Sequence, residues 1–216
     1  MSAGWLAPLR ALNGRALARR FAAGRAVDPG ALGDARFRGV ALGLPAIIER
    51  GAWSLFAKDV IVDDDGGLRG WNVRLAQPPA RDPTTLATAT LQPRRAGAGP
   101  RLFAPFAVTA GDRGDGRTTC LLDYRATHRA PPWSWLVDPL VQIDDDSDNR
   151  DDGGALLLLG VSRLQVGRWS RATPTWFVLH KEGPVPDDAR AAARVWSPRT
   201  RAHPLPRTGR AATDAP

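Results

Sequence analysis

Ala155-Leu156-Leu157-Leu158-Leu159-Gly160-Val161-Ser162-Arg163-Leu164, followed by Pro174-Thr175-Trp176-Phe177-Val178-Leu179-His180, is the stretch whose reading decides the fold. Each run is short, apolar and bounded by turn residues, which is the pattern of a β-strand. Two similar runs precede them, Thr118-Thr119-Cys120-Leu121-Leu122-Asp123-Tyr124-Arg125 and Pro139-Leu140-Val141-Gln142-Ile143. Strands in succession with short polar connections describe an antiparallel meander. A meander of this length curls into a barrel, so the expected class is all-β. A small barrel encloses a space, and the first functional question is what fills it.

The same signals continue toward the N-terminus. Asp63-Asp64-Asp65-Gly66-Gly67 separates Asp59–Val62 from Leu68–Leu75, and Asp-Gly between two alternating runs predicts a hairpin. Phe37–Gly43 reads as a strand. Leu102–Thr109 reads as an edge or bulged strand, because Pro105 removes a ladder donor. Thr84–Leu91 is read as a further strand, with loops at 77–83 and 92–100. Pro45 opens a predicted short helix over 45–57. Trp5, Leu6, Leu9, Leu12, Leu17 and Phe21 recur at helical spacing, which predicts a helix over 5–26. Asp187-Asp188 begins a short C-terminal helix, the acids favouring its N-terminus. From Ser197 onward Pro, Arg and Thr dominate and disorder is expected. The expected organisation is a basic N-terminal helical arm (1–34), a β-barrel domain (35–183), and a short helix with a disordered basic tail (184–216).

Charge separates the tails from the body. Of the chain's net +8, five belongs to residues 1–27 and five to residues 190–216, so the body carries −2. A specific nucleic-acid reader shows a basic stripe on its folded surface, and none is expected here. The arm could meet a membrane surface weakly as a basic amphipathic helix, or simply cover the barrel. Only Lys58 and Lys181 are lysines; the arginine excess points to a GC-rich genome. The lone Cys120 lies in an apolar strand and reads as a small buried hydrophobe; with no disulfide and no signal-like N-terminus, a cytoplasmic protein is expected.

Catalytic signatures are absent: no G-x-S-x-G, no phosphate-binding glycine loop, no H-E-x-x-H and no dinucleotide fingerprint. No cofactor or metal is expected. Asp144, Asp146, Asp148 and Asp152 match positions 1, 3, 5 and 9 of a calcium loop, but Asn149 and Ala155 stand where glycine and glutamate are needed. The run therefore reads as a solvated hairpin loop. Arg113-Gly114-Asp115 reads as a chance tripeptide in a turn. His128, His180 and His203 are too dispersed for a zinc site. What remains is polar and aromatic side chains set in strands. Alternation places Trp71 and Val73 opposite Asn72 and Arg74. It places Cys120, Leu122 and Tyr124 opposite Leu121, Asp123 and Arg125, and Trp176, Val178 and His180 opposite Phe177, Leu179 and Lys181. Which face lines the lumen stays open at this point. The candidate ligand-binding residues are Trp71, Tyr124, Arg163 and Trp176.

From 37 to 181 the order of features resembles the small bacterial proteins named for a G-x-W-x-G motif. The resemblance rests on Phe37-Arg38-Gly39, Gly43-Leu44-Pro45, and Trp53-Ser54-Leu55-Phe56-Ala57-Lys58. It continues through Asp123-Tyr124, Pro139-Leu140-Val141, the acidic run through Leu159-Gly160, and Trp176-Phe177-Val178-Leu179. It implies a lipocalin-like (calycin-type) antiparallel barrel that holds a lipid or other apolar molecule, with no catalytic residues to carry over. The expected function is thus non-covalent binding of a small hydrophobic or amphipathic ligand. An alternative is an isomerase or cyclase acting in the same cavity through Asp123, Tyr124 or His180. A second is a structural or partner-binding protein that works through its tails. The oligomeric state is left open.

Overall fold

The computed structural model describes residues 4–43, 54–96, 99–144, 156–167 and 169–196. The described residues form an eight-stranded antiparallel barrel from β2 (Ala35–Leu42), β3 (Leu55–Val62), β4 (Leu68–Val73), β7 (Leu102–Asp112), β8 (Thr118–Asp123), β9 (Leu136–Gln142), β10 (Leu157–Val166) and β11 (Trp169–Pro184). Each strand pairs with the next, and β11 returns to β2 with Val178 opposite Val40 and Lys181 opposite Phe37. This is an up-and-down meander closed on itself, so it has no free edge within the barrel. β1 (Arg25–Ala26) pairs outside it with the end of β9, and β5 (Arg95–Ala96) and β6 (Gly99–Pro100) form a separate two-stranded ribbon.

The meander follows the turn chemistry. Gly66 takes φ +76° in the β3–β4 hairpin, a conformation open to glycine without a Cβ clash. Pro105 sits in β7 beside a register shift against β4 between Gly70 and Asn72, and Ala104 there has φ +44°. The strand is bulged where its proline cannot donate.

The barrel wall is buried on both sides. Inside, Phe37, Val60, Leu68, Phe106, Leu122, Leu140, Phe177 and Leu179 belong to one apolar cluster. Outside, Val40, Ala57, Trp71, Val73, Leu159, Trp176 and Val178 form a second cluster with Trp5, Leu6, Leu9, Leu17 and Phe21. The N-terminal arm is therefore packed onto the wall. It is two helices, α1 (Leu6–Arg10) and α2 (Gly14–Ala23), rather than one over 5–26. Asn13 caps the second by accepting from the Ala16 N–H, and that extended cap residue breaks the helix. Residues 25–26, expected to be helical, are in β1.

Two further expectations are corrected. Residues 84–88 are helical, within α3 (Pro83–Thr88), because Asp82 caps the Thr85 N–H and Pro83 suits the first turn. Of the predicted helix over 45–57, residues 45–53 lie outside the described residues, and Leu55–Ala57 belong to β3. Asp187 and Asp188 do open α4 (Asp187–Trp196). The acidic run from Asp145 and the tail beyond residue 196 lie outside the described residues. No helix among the described residues is long and apolar enough to cross a membrane.

Candidate functional site

Strand alternation decides which side chains enter the lumen. On β3, Phe56, Lys58 and Val60 point inward, with Asp59 and Ile61 outward. One end of the lumen is closed by the segment before β2: Val27 and Leu32 join the interior cluster, the Cys120 thiol donates to the Val27 carbonyl, and Lys181 Nζ donates to the Ala31 carbonyl. At the other end the described rim is made of half-buried Phe56, Phe103, Trp133 and Leu136.

Between the two ends lies a polar cluster drawn from opposite walls. Lys58 Nζ donates to Asn72 Oδ1 at 2.8 Å and to the Tyr124 hydroxyl at 2.5 Å. Tyr124 donates in turn to Asp138 Oδ2 at 3.1 Å, and Lys58 Nζ stands 3.7 Å from the same oxygen. Asn72 Nδ2 donates to the Ala104 carbonyl that the β7 bulge turns inward. No side chain among the described residues meets Asp138 Oδ1 at hydrogen-bond geometry, although the Ser162 hydroxyl on β10 is near enough to favour its charged form. Every member of the cluster is buried.

The aromatic surroundings complete the site. The Lys58 ammonium lies 5.2 Å from the Phe106 ring centroid, 5.3 Å from those of Tyr124 and Phe177, and 5.5 Å from that of Phe56. These are cation–π distances, and such contacts are stronger when desolvated. Three of the rings occupy space that glycines leave free: a Cβ at Gly39 would overlap Phe56, one at Gly70 Phe106, and one at Gly160 Phe177.

Burial sets the acid–base character. It lowers the Lys58 amine from 10.5 to about 8, with the charge of Asp138 opposing. It raises the Asp138 carboxyl, with Lys58 the main opposing influence, and it raises the Tyr124 phenol well above 10, helped by Asp138. An amine, a phenol and a carboxyl thus form a relay, with the phenol accepting from one and donating to the other. The cluster can orient a polar group, neutralise an anion or move a proton.

Buried charges outside the wall are organised differently. Arg36 makes a bidentate pair with Asp59, both bonds 2.7 Å. Arg38 holds both oxygens of Glu182 and donates to the Leu86 and Ala89 carbonyls, closing the end of α3; His180 stacks on Trp5 and meets Glu182 at 3.4 Å. Arg113 donates to the Ala22 and Gly24 carbonyls at the end of α2 and pairs with Asp115, so the Arg113-Gly114-Asp115 tripeptide is a helix cap.

Of the four residues singled out from sequence, Tyr124 alone joins the interior cluster. Trp71 and Trp176 face outward into the layer beneath the helices, because inward positions on their strands fall to Asn72 and Phe177. Arg163 lies past the β10 bulge and reaches the Ser170 hydroxyl and the Arg113 carbonyl. Asp123 is turned away from the lumen and held by Arg125, and His180 is outside as described. Lys58, Asn72 and Asp138 were not singled out as ligand residues. Their signal was parity: Lys58 alternates with Phe56 and Val60, and Asn72 with Gly70. No protein-family model matches this chain, nor does any curated protein or any solved structure.

Proposed function

We propose that the barrel binds a small hydrophobic or amphipathic molecule, with its apolar part against the interior rings and its polar group on Lys58, Tyr124, Asn72 and Asp138. The observation that carries this reading is the charged cluster itself. Taking a lysine and an aspartate out of water costs several kcal/mol per ion, and well-packed hydrocarbon in their place is often as stable or more so. A barrel needed only for its shape gains nothing from them. A lumen with apolar walls, a few convergent polar groups and perturbed acid–base residues has the composition of a ligand site. Burial of a fatty-acid-sized apolar tail supplies about 25 cal/mol for each Å² removed from water, so affinity needs no catalytic apparatus. The resemblance to the G-x-W-x-G-motif proteins points the same way, and Lys58 ends one of the segments that carry it. A cytoplasmic setting, as expected from the sequence, fits a carrier of this kind.

Native mass spectrometry of protein purified from cells, compared with the denatured sample, tests the reading. A recurrent extra mass that is lost on denaturation, and that is missing from the Lys58→Met/Asp138→Leu protein, is expected. A folded protein that carries no such mass and takes up neither fatty acids nor fatty alcohols would sink it. The Lys58–Tyr124–Asp138 relay also favours a second reading, acid–base chemistry on an apolar substrate, in place of the earlier candidates Asp123 and His180.

A further inference from the structure

We propose that Lys58 captures carbonyl compounds, forming an imine with an apolar aldehyde or ketone held in the lumen. The inference rests on the reading of the lumen as a binding site and names the chemical class of its occupant.

The choice of cation is the first argument. The chain has 30 basic residues, and all but Lys58 and Lys181 are arginines. Among the described residues the other buried cations, Arg36, Arg38 and Arg113, meet carboxylate or carbonyl oxygens in the forked geometry that arginine suits. The lumen departs from that usage. Arginine cannot surrender its proton in a protein, whereas a desolvated lysine can, and only the neutral amine attacks a carbonyl.

The neighbours of Nζ are the second argument. The Tyr124 hydroxyl at 2.5 Å and the Asp138 carboxylate at 3.7 Å are the proton carriers that imine formation needs. The ammonium passes a proton to Asp138, directly or through Tyr124. The neutral amine forms a C–N bond to the carbonyl carbon, and the carbonyl oxygen takes a proton from the relay. One of the two N–H protons then passes to that oxygen by the same route, the C–O bond breaks and one water leaves, so the product is a protonated imine beside the restored Asp138 carboxylate. Aldehyde plus amine gives imine plus water, with no oxidant or reductant consumed. The enclosing rings keep bulk water from driving the imine back.

Depression of the amine to about 8 supports the step: at neutral pH it leaves about two orders of magnitude more neutral amine than at 10.5. Lys181 is an internal control, since its ammonium is tied to the Ala31 carbonyl at the closed end.

The test uses the full chain with cinnamaldehyde and cyanoborohydride at neutral pH, read by intact mass and peptide mapping. One reduced adduct per chain is expected at limiting aldehyde, on Lys58 and at least about tenfold above Lys181, because Lys58 alone of the two stands among the rings that would hold the aldehyde's apolar part beside the amine. The terminal amine, ordinarily at about 8 and so as nucleophilic as Lys58, is read separately on its own peptide. Lys181→Arg should leave it unchanged and Lys58→Arg should remove it. The wild-type map decides even where Lys58→Arg fails to fold. Equal labelling of Lys58 and Lys181 would overturn the proposal. So would an unlabelled Lys58 in protein that still binds cinnamyl alcohol, seen by displacement of anilinonaphthalene sulfonate; that result leaves the binding reading standing. Failure of aldehyde and alcohol alike to bind removes both.

Discussion

The two faces of the barrel wall carry buried charge in contrasting ways. Outside, Arg36–Asp59 and Arg38–Glu182 are close, forked pairs whose arginines meet two carboxylate oxygens each. Inside, Lys58 and Asp138 stand 3.7 Å apart with a phenol between them, and one carboxylate oxygen lacks a donor of good geometry among the described residues. Of the outer pairs, Arg36–Asp59 joins β2 to β3, and Arg38–Glu182 also holds a helix to the wall, Arg38 ending α3 through the Leu86 and Ala89 carbonyls. The inner cluster joins no element that the barrel ladders do not already join. Its looseness suits a ligand, which can supply the missing partner.

The largest expected effects come from breaking one partner of each kind. Lys58→Met and Arg36→Met should each cost about 3–5 kcal/mol in denaturant unfolding, because each leaves a buried carboxylate uncompensated. Removing both partners separates the two faces. Lys58→Met/Asp138→Leu should fold with stability equal to wild type or up to about 4 kcal/mol higher, yet lose ligand binding. Arg36→Met/Asp59→Leu should keep both stability and binding. If the outer double variant lost binding while the inner one kept it, the roles assigned to the two faces would be reversed.

The difference between the faces was only half visible in the sequence. The meander was legible because its turns are marked by residues such as Asp65-Gly66, and because its strands are short apolar runs. The lumen-facing side was not, since helices cover the outside and both faces of each strand are apolar. On β3 the inward Lys58 is followed by the outward Asp59, so polarity gives no direction. Trp71 and Trp176 looked like cavity residues because they are large and aromatic, but the outer layer under α1 and α2 takes large side chains equally well. The strand reading of 84–91 failed because threonine propensity was weighed above the Asp82 and Pro83 helix start.

The glycines that admit aromatic rings offer a finer test. Gly160→Ala drives the Phe177 ring further into the lumen, where it can shift. A cost of about 1–3 kcal/mol is expected, with weaker binding because the lumen shrinks. Gly70→Ala meets the Asp59 carbonyl as well as the Phe106 ring, and a backbone atom cannot swing aside. It should therefore destabilise more than Gly160→Ala in the same thermal unfolding measurement. Equal costs would mean that the rings, rather than the backbone, limit both sites.

Titration should separate the faces most gently, in different pH windows. Lys58 holds its proton less tightly folded (about 8) than unfolded (10.5), so above pH 8 the unfolded chain binds more protons at this residue. Stability then rises with pH, with a slope of at most about 1.4 kcal/mol per unit. Cys120, raised by burial to about 12, works against this above pH 9. The comparison therefore belongs between pH 8 and 9, as wild type minus Lys58→Met, in which the cysteine cancels. On the outer face, burial alone would raise Glu182, but the hydrogen bonds and charges of His180 and Arg38 outweigh it and hold the carboxyl at about 2. Its contribution is present above pH 4.5 and lost as pH falls toward 2, and Glu182→Gln should flatten that part of the curve. Urea midpoints across both windows read the two effects. An inner curve without slope between pH 8 and 9 would mean that Lys58 keeps its proton there, and the contrast between a titratable inner amine and fixed outer arginines would go with it.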